Sequence, residues 1–250
     1  MNVLGIIPSR FASTRFPGKP LIDIGGKSMI RRVYEQATKS RTLNHVVVAT
    51  DDQRIYDHVL AFGGLAEMTS TEHQSGTDRC AEVALNHPEF DVLINIQGDE
   101  PFIDPGQINL VCQCFEQADV NLATLVKRIN DYSELINNNT PKVVFNMNQE
   151  AIYFSRTPIP FLRDYNQPDW LNHHAYYKHI GIYGYRKQAL KQITELSVSS
   201  LEKAEALEQL RWIENGLRIK VAVTNVESIA IDTPQDLEKA ISQVNLSQFS

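Results

Sequence analysis

Continuous apolar runs alternate with amphipathic stretches through the first half of the chain. Val3-Leu4-Gly5-Ile6-Ile7 and Val46-Val47-Val48-Ala49 have the length and β-branched content of buried strands, and Pro8 is expected to end the first of them. Between these runs Ile30, Val33, Tyr34 and Ala37 recur at helical spacing. After the second run, Thr50-Asp51-Asp52 opens a helix that carries Ile55, Val59 and Phe62 and is stopped by Gly63-Gly64. Two strand-to-helix units in succession predict a parallel sheet with right-handed crossovers. A polar loop from Thr69 to Asp78 then leads into a helix around Ala81 to Leu85, and Val92-Leu93-Ile94-Asn95-Ile96 forms the next strand.

The pattern changes after Leu122. Lys142-Val143-Val144, Ala151 to Arg156 and His179 to Tyr185 are short apolar runs between polar loops, which read as additions to the sheet and as a candidate subunit contact. Leu162 to Lys178, with Trp170, His173 and His174, is a long excursion of the kind that docks on another surface. Adjacent histidines are poorly spaced for one metal, so His173 and His174 are read as packing or surface residues. Leu201 to Gly216 is predicted as a single amphipathic helix, Ile219 to Val223 as a strand and Ile229-Ala230-Ile231 as a short strand. Asp232-Thr233-Pro234 opens the last helix, with Asp232 expected at its N-cap.

Composition narrows the class. A chain of 250 residues with 42 % hydrophobic and 22 % charged residues has ample material for a core. A formal charge of -6 argues against a general nucleic-acid surface, so any nucleotide partner should be small and bound locally. No apolar run approaches the ~20 residues that span a bilayer, and a cytoplasmic protein without membrane partners is expected. Cys80, Cys112 and Cys114 read as reduced packing residues.

Against that acidic background the loop after the first strand stands out. Arg10, Arg15 and Lys19 lie in it, and the first twenty residues contain no Asp or Glu. Positive charge at a strand's C-terminal end suits a polyphosphate, and Ser13, Thr14 and Gly18 supply the hydroxyls and the close approach that phosphate cradling needs. It is not a Walker A loop: Ser13 stands where the first glycine should be and Pro20 where a hydroxyl should be. Ser75-Gly76-Thr77, just before a helix, would present hydroxyl and N–H groups to a base or sugar. Gln97-Gly98-Asp99-Glu100-Pro101 follows a buried strand at once, a common placement for a divalent ion, and Asp232 offers a second carboxylate. No Ser or Cys nucleophile with a His partner is evident, so no covalent intermediate is expected.

Several blocks together resemble the 3-deoxy-manno-octulosonate (Kdo) cytidylyltransferases, also called CMP-Kdo synthetases. They are Ile7 to Leu21, Ala49 to Asp52, His73 to Arg79, Asn95 to Pro101, Tyr153 to Arg156, His179 to Tyr183, Leu207 to Arg211 and Asp232 to Pro234. Where that family usually has Asn-Pro-Asn, this chain reads Asn137-Asn138-Asn139. The resemblance implies a three-layer α/β/α nucleotidyltransferase fold with a mostly parallel central sheet. It implies a single domain over 1–250, with a dimerisation and sugar-binding subregion at about 122–190, and a homodimer. The implied reaction is Mg²⁺-dependent transfer of CMP from CTP to Kdo for lipopolysaccharide synthesis. By position, Pro8, Arg10, Ser13, Arg15 and Lys19 would meet CTP, with Ser75 and Gly76 near its base. Asp99 and Asp232 would hold magnesium, and Arg10, Lys19 and the two aspartates would carry catalysis. Arg79, Gln97, Arg156, His179, Tyr183, Glu208 and Gln209 would line the sugar pocket.

Overall fold

The computed structural model describes residues 1–12, 16–227 and 229–243. They form two compact units, Met1–Cys112 joined by the C-terminal residues, and Gln113–Glu227. In chain order the first unit contains β1 (Val3–Ser9), α1 (Met29–Ala37), β2 (His45–Thr50), α2 (Gln53–Ala61), β3 (Ala66–Met68), α3 (Gly76–Asn86), β4 (Val92–Asn95) and α4 (Pro105–Cys114). Its strands run in the order β3-β2-β1-β4, each neighbour parallel, as the alternating pattern predicts. The apolar runs are buried because both faces of such a sheet are covered; Ile6, Ile7, Val48, Leu93 and Ile94 have no exposed surface. The three cysteines are free thiols and buried.

Pro8 does not end β1, which pairs with β2 through Pro8↔Ala49 and Ser9↔Thr50. The edge that Pro8 faces explains this. Ile96 N donates to Ile6 O, so Ile6 and, two residues on, Pro8 turn their backbone polar groups toward β4, whose pairing with β1 ends at Ile6↔Asn95. The missing N–H therefore falls where no ladder partner is required.

The second unit contains β5 (Leu122–Arg128), α5 (Tyr132–Ile136), β6 (Lys142–Phe145), β7 (Ala151–Ser155), α6 (Trp170–His173), β8 (Tyr177–Arg186), α7 (Lys187–Thr194), α8 (Ser200–Glu205), α9 (Gln209–Glu214) and β9 (Lys220–Thr224). Here β5 lies between antiparallel β8 and parallel β9, and β6 and β7 form an antiparallel hairpin. The stretch from Leu162 to Lys178 turns inward at Trp170 and Tyr176, which pack with Ile129 and Leu135, and leaves Tyr165 outside, as is Phe161 just before it. The single helix expected from Leu201 to Gly216 is two: α8 and α9 are separated by a corner at Ala206, whose φ is 50°. The apolar spacing continues across that corner, so periodicity alone does not reveal it.

The chain then returns to the first unit with α10 (Pro234–Gln243). The predicted strand at Ile229 to Ile231 is not formed; the segment is held by a backbone bond from Ile231 N to Asp99 O at 2.9 Å. The N-cap of α10 is Thr233, not Asp232. Asp236 N donates to Thr233 Oγ1 at 3.2 Å and Thr233 N to an Asp236 carboxylate oxygen at 2.9 Å, a reciprocal capping box that leaves Asp232 one residue outside the helix. No helix of the described residues is long and apolar enough to cross a membrane.

Candidate active site at the C-terminal edge of the parallel strands

A cleft of about 260 Å³ opens at the C-terminal ends of β1 and β4. Pro8, Arg10, Lys19, Ser75, Gly76, Arg79, Gln97, Asp99 and Asp232 all border it, so nine of the residues singled out in the sequence converge on one place. Ser13 and Arg15 lie outside the described residues.

The loop after β1 is folded back on itself. Gly18 N donates to Phe11 O at 3.1 Å, and with φ 72° and Phe11's ring 3.1 Å from where a Cβ would sit, the position needs glycine. Arg54 lies over the Phe11 ring at 3.4 Å from its centroid and is tied in turn to Asp52. Gly18 starts a short 3₁₀ turn, Lys19–Leu21, that aims Lys19 into the cleft.

Lys19 Nζ donates to Asp99 Oδ2 at 2.8 Å and to Asp232 Oδ1 at 3.0 Å. Two features bring these distant carboxylates together. The backbone bond from Ile231 to Asp99 splices the segment before α10 onto the turn after β4. Gly98 lets that turn rest on the end of β1, since a Cβ there would lie 2.8 Å from Pro8 O. The donor set fits magnesium: both carboxylates already converge on one cationic group, and Mg²⁺ prefers one or two carboxylates supplemented by phosphate oxygens and water. Among the described residues no cluster of three or more Asp, Glu, His or Cys could hold a metal by itself.

The opposite wall is the N-terminus of α3. Ser75 caps it through a capping box with Asp78, so its hydroxyl accepts from Asp78 N at 3.1 Å. Gly76 leaves the helix start open beside Pro8 and Asn95. Arg79 is 4 % exposed, with Nη2 on Asp51 at 2.8 Å and Nη1 on Thr69, so its guanidinium is held by the protein at the cleft border. His73, which borders the cleft too, pairs with Glu82. Two further cleft residues, Ser9 and Asn95, each bury a polar oxygen with no hydrogen-bond partner among the described residues. A polar residue inside the run Val92 to Ile96 was the signal that could have found Asn95. Ser28 Oγ lies 2.7 Å from His58 Nε2, but this buried serine is the N-cap of α1, not an accessible nucleophile.

The remaining predicted sugar residues belong to the second unit. His179 and Tyr183 flank an irregularity in the β5·β8 ladder, where Thr124 pairs with Tyr183 but Leu125 with Ile180. Their rings are 5.1 Å apart. Thr124 Oγ1 donates to Ile182 O at 2.7 Å, which leaves it to accept from His179 Nε2 at 2.9 Å. Burial depresses the His179 imidazole to about 3, so it is neutral at physiological pH. Burial, with Tyr185 and Glu208 nearby, pushes the Tyr183 phenol well up. Glu208 precedes α9, whose first residue, Gln209, is 5 % exposed. Arg156 points its guanidinium at backbone carbonyls of Asn138, Glu205 and Ala206.

The cytidylyltransferase family profile matches residues 4–219. A 3-deoxy-manno-octulosonate cytidylyltransferase of Parabacteroides distasonis is 56 % identical over 97 % of this chain and 98 % of its own length. The chain belongs to the 3-deoxy-manno-octulosonate cytidylyltransferase family. A second relative of the same name, from Bacteroides thetaiotaomicron, is 57 % identical over 96 % of this chain and 97 % of its own. Among solved structures, a CMP:2-keto-3-deoxy-manno-octonic acid synthetase complexed with CTP superposes with a TM-score of 0.91 at 41 % identity, covering 99 % of both chains. The α/β nucleotidyltransferase fold expected from the sequence is therefore that of the family.

Proposed function

We propose that the chain transfers CMP from CTP to the anomeric hydroxyl of 3-deoxy-D-manno-octulosonate, releasing diphosphate. The observation that carries this reading is the group of Lys19, Asp99 and Asp232 beside Arg10 and the α3 N-terminus, in a chain over half identical to enzymes of that name. In the reaction the hydroxyl oxygen bonds to the α-phosphorus and gives up its proton to solvent, the bond to the bridging oxygen breaks, and diphosphate leaves with the electron pair. Little covalent work falls to the protein; positioning and charge stabilisation dominate. Arg10 and Lys19 stabilise the charge gathering on the leaving diphosphate. Asp99 and Asp232 are the residues that would hold Mg²⁺, which would supply Lewis acidity beside the reacting phosphate. Pro8, Ser75 and Gly76 shape the nucleotide side; Gln97 and Arg79 of the first unit, and by resemblance His179, Tyr183, Glu208 and Gln209 of the second, are assigned to the acid.

We also read the protein as a cytoplasmic homodimer serving lipopolysaccharide synthesis. The exposed apolar side chains Met147, Ile152 and Phe161 of the second unit support a subunit contact there. A diphosphate-release assay tests the activity: CTP with Kdo should turn over with Mg²⁺, while UTP, ATP or sialate should be poorer, and an amino-substituted Kdo run alongside decides which of the two acids is preferred. No release with CTP and Kdo, or equal release with sialate, would refute the assignment.

A further inference from the structure

Lys142 and Ser155 face each other across the β6–β7 hairpin, and Arg156 follows at its end. Lys142 is fully buried and donates from Nζ to the carbonyls of Asn137 at 2.9 Å and Thr140 at 2.7 Å. Arg156 spreads its guanidinium over three more carbonyls: Nη1 to Asn138 at 3.1 Å, Nε to Glu205 at 2.6 Å and Nη2 to Ala206 at 3.1 Å. Glu205 grips from the other side, its carboxylate accepting from Arg156 N at 2.9 Å and Ser155 Oγ at 2.8 Å. Two cations and one carboxylate thus fasten both the 137–140 turn and the α8–α9 corner to the end of the β6–β7 hairpin.

The corner needs fastening. Ala206 holds a left-handed backbone, φ 50°, that a non-glycine residue rarely adopts, and the carbonyls at the C-terminal end of α8 have no helical partner. Arg156 satisfies two of those carbonyls, and a planar fork pinned in three directions cannot turn toward a ligand without releasing them. Glu208 and Gln209 begin two residues beyond Ala206.

We propose that Arg156 is a positioning residue: it fixes the corner from which Glu208 and Gln209 meet the acid substrate, and does not bind the acid itself. The inference rests on the activity proposed above.

A double-mutant cycle separates positioning from contact. Arg156→Met should lower kcat/KM for Kdo about tenfold at saturating CTP and leave the KM for CTP within about twofold. If Arg156 acts through Glu208, the same change on a Glu208→Ala background should cost less than about threefold more, because coupled residues are not additive. A further full tenfold loss on that background would mean that Arg156 touches the acid, and unchanged kcat/KM in the single variant would mean that the clasp is idle. Either result overturns the proposal. Should Arg156→Met fail to fold, Arg156→Lys, which keeps the charge but loses the fork, carries the same cycle with a smaller expected loss. Trp212, buried on α9, gives a readout independent of turnover in a Trp170→Phe background. Its emission should shift in Arg156→Met. If the wild type releases no diphosphate from CTP and Kdo, the assigned activity fails by itself, and an unshifted Trp212 spectrum would overturn the positioning role as well.

Discussion

Replacing Lys19 by methionine removes an ammonium held 2.8 Å from Asp99 and 3.0 Å from Asp232. At such distances and an effective dielectric near 20, each contact has a gross Coulomb energy on the order of 5 kcal/mol. Most of that is offset: the lysine side chain is only 13 % exposed and has lost hydration, while the aspartates, 26 % and 40 % exposed, are screened by water. A net loss of about 1–2 kcal/mol remains, or roughly 2–8 °C in Tm for a chain of this size. The variant also leaves two carboxylates facing each other without their shared cation. Millimolar Mg²⁺ should therefore raise the Tm of Lys19→Met more than that of the wild type, in the absence of nucleotide. Thermal melts of the wild type, Lys19→Met and Lys19→Met/Asp232→Asn across a Mg²⁺ series measure both effects. An unchanged Tm in Lys19→Met, or an equal Mg²⁺ response with and without Asp232, would refute the reasoning that these carboxylates form one cation site.

Asp99→Asn and Asp232→Asn should each cut diphosphate release by at least ~100-fold at limiting Mg²⁺, since each removes a charged ligand beside the reacting phosphate; near-normal rates in either would sink the two-carboxylate site. Ser75→Ala should lose about 1 kcal/mol with the cap of α3 and raise the KM for CTP, and Ser75→Thr should restore both, as denaturant melts and initial rates will show. Burial drives the Lys142 ammonium down to about 8 from 10.5. Between those values the unfolded chain holds a proton that the folded chain has shed, so this group's contribution to stability rises with pH across that window. Urea melts should find the wild type gaining on Lys142→Met as pH rises through it, by on the order of 3 kcal/mol in total; a flat difference would mean that the buried lysine stays charged.

The parallel half of the fold was legible because burial on both faces writes strands such as Val46 to Ala49 as unbroken apolar runs. Helix ends were legible where one residue type does the capping, as at Asp52 and Gly63 in α2. They were misread where neighbours compete: Asp232 and Thr233 are both good caps, and only the position of Asp236 decides between them. Ala206 was invisible because alanine carries no sign of a left-handed turn; its partner Arg156 lies 50 positions away in sequence. The same limit applies at the site. The strand-end carboxylate at Asp99 and the basic loop could each be picked out, but their meeting depends on Lys19 reaching across 80 and 213 positions, which no spacing rule encodes. The acid side rested wholly on resemblance, for His179 and Tyr183 gain their setting from a ladder irregularity that the run His179 to Tyr185 does not announce.

A proline at the eighth position also settles how far the sheet can be zipped. Parallel strands left to themselves tend to extend their pairing until a donor or an acceptor fails. Along the border between β1 and β4 the donor fails at Pro8, immediately past the last bond, from Ile96 to Ile6. The two strands cannot annex the 97–99 turn as further ladder, so that turn keeps its carboxylate free of strand geometry. A residue lacking any functional group thus keeps the molecule's reactive edge unseamed.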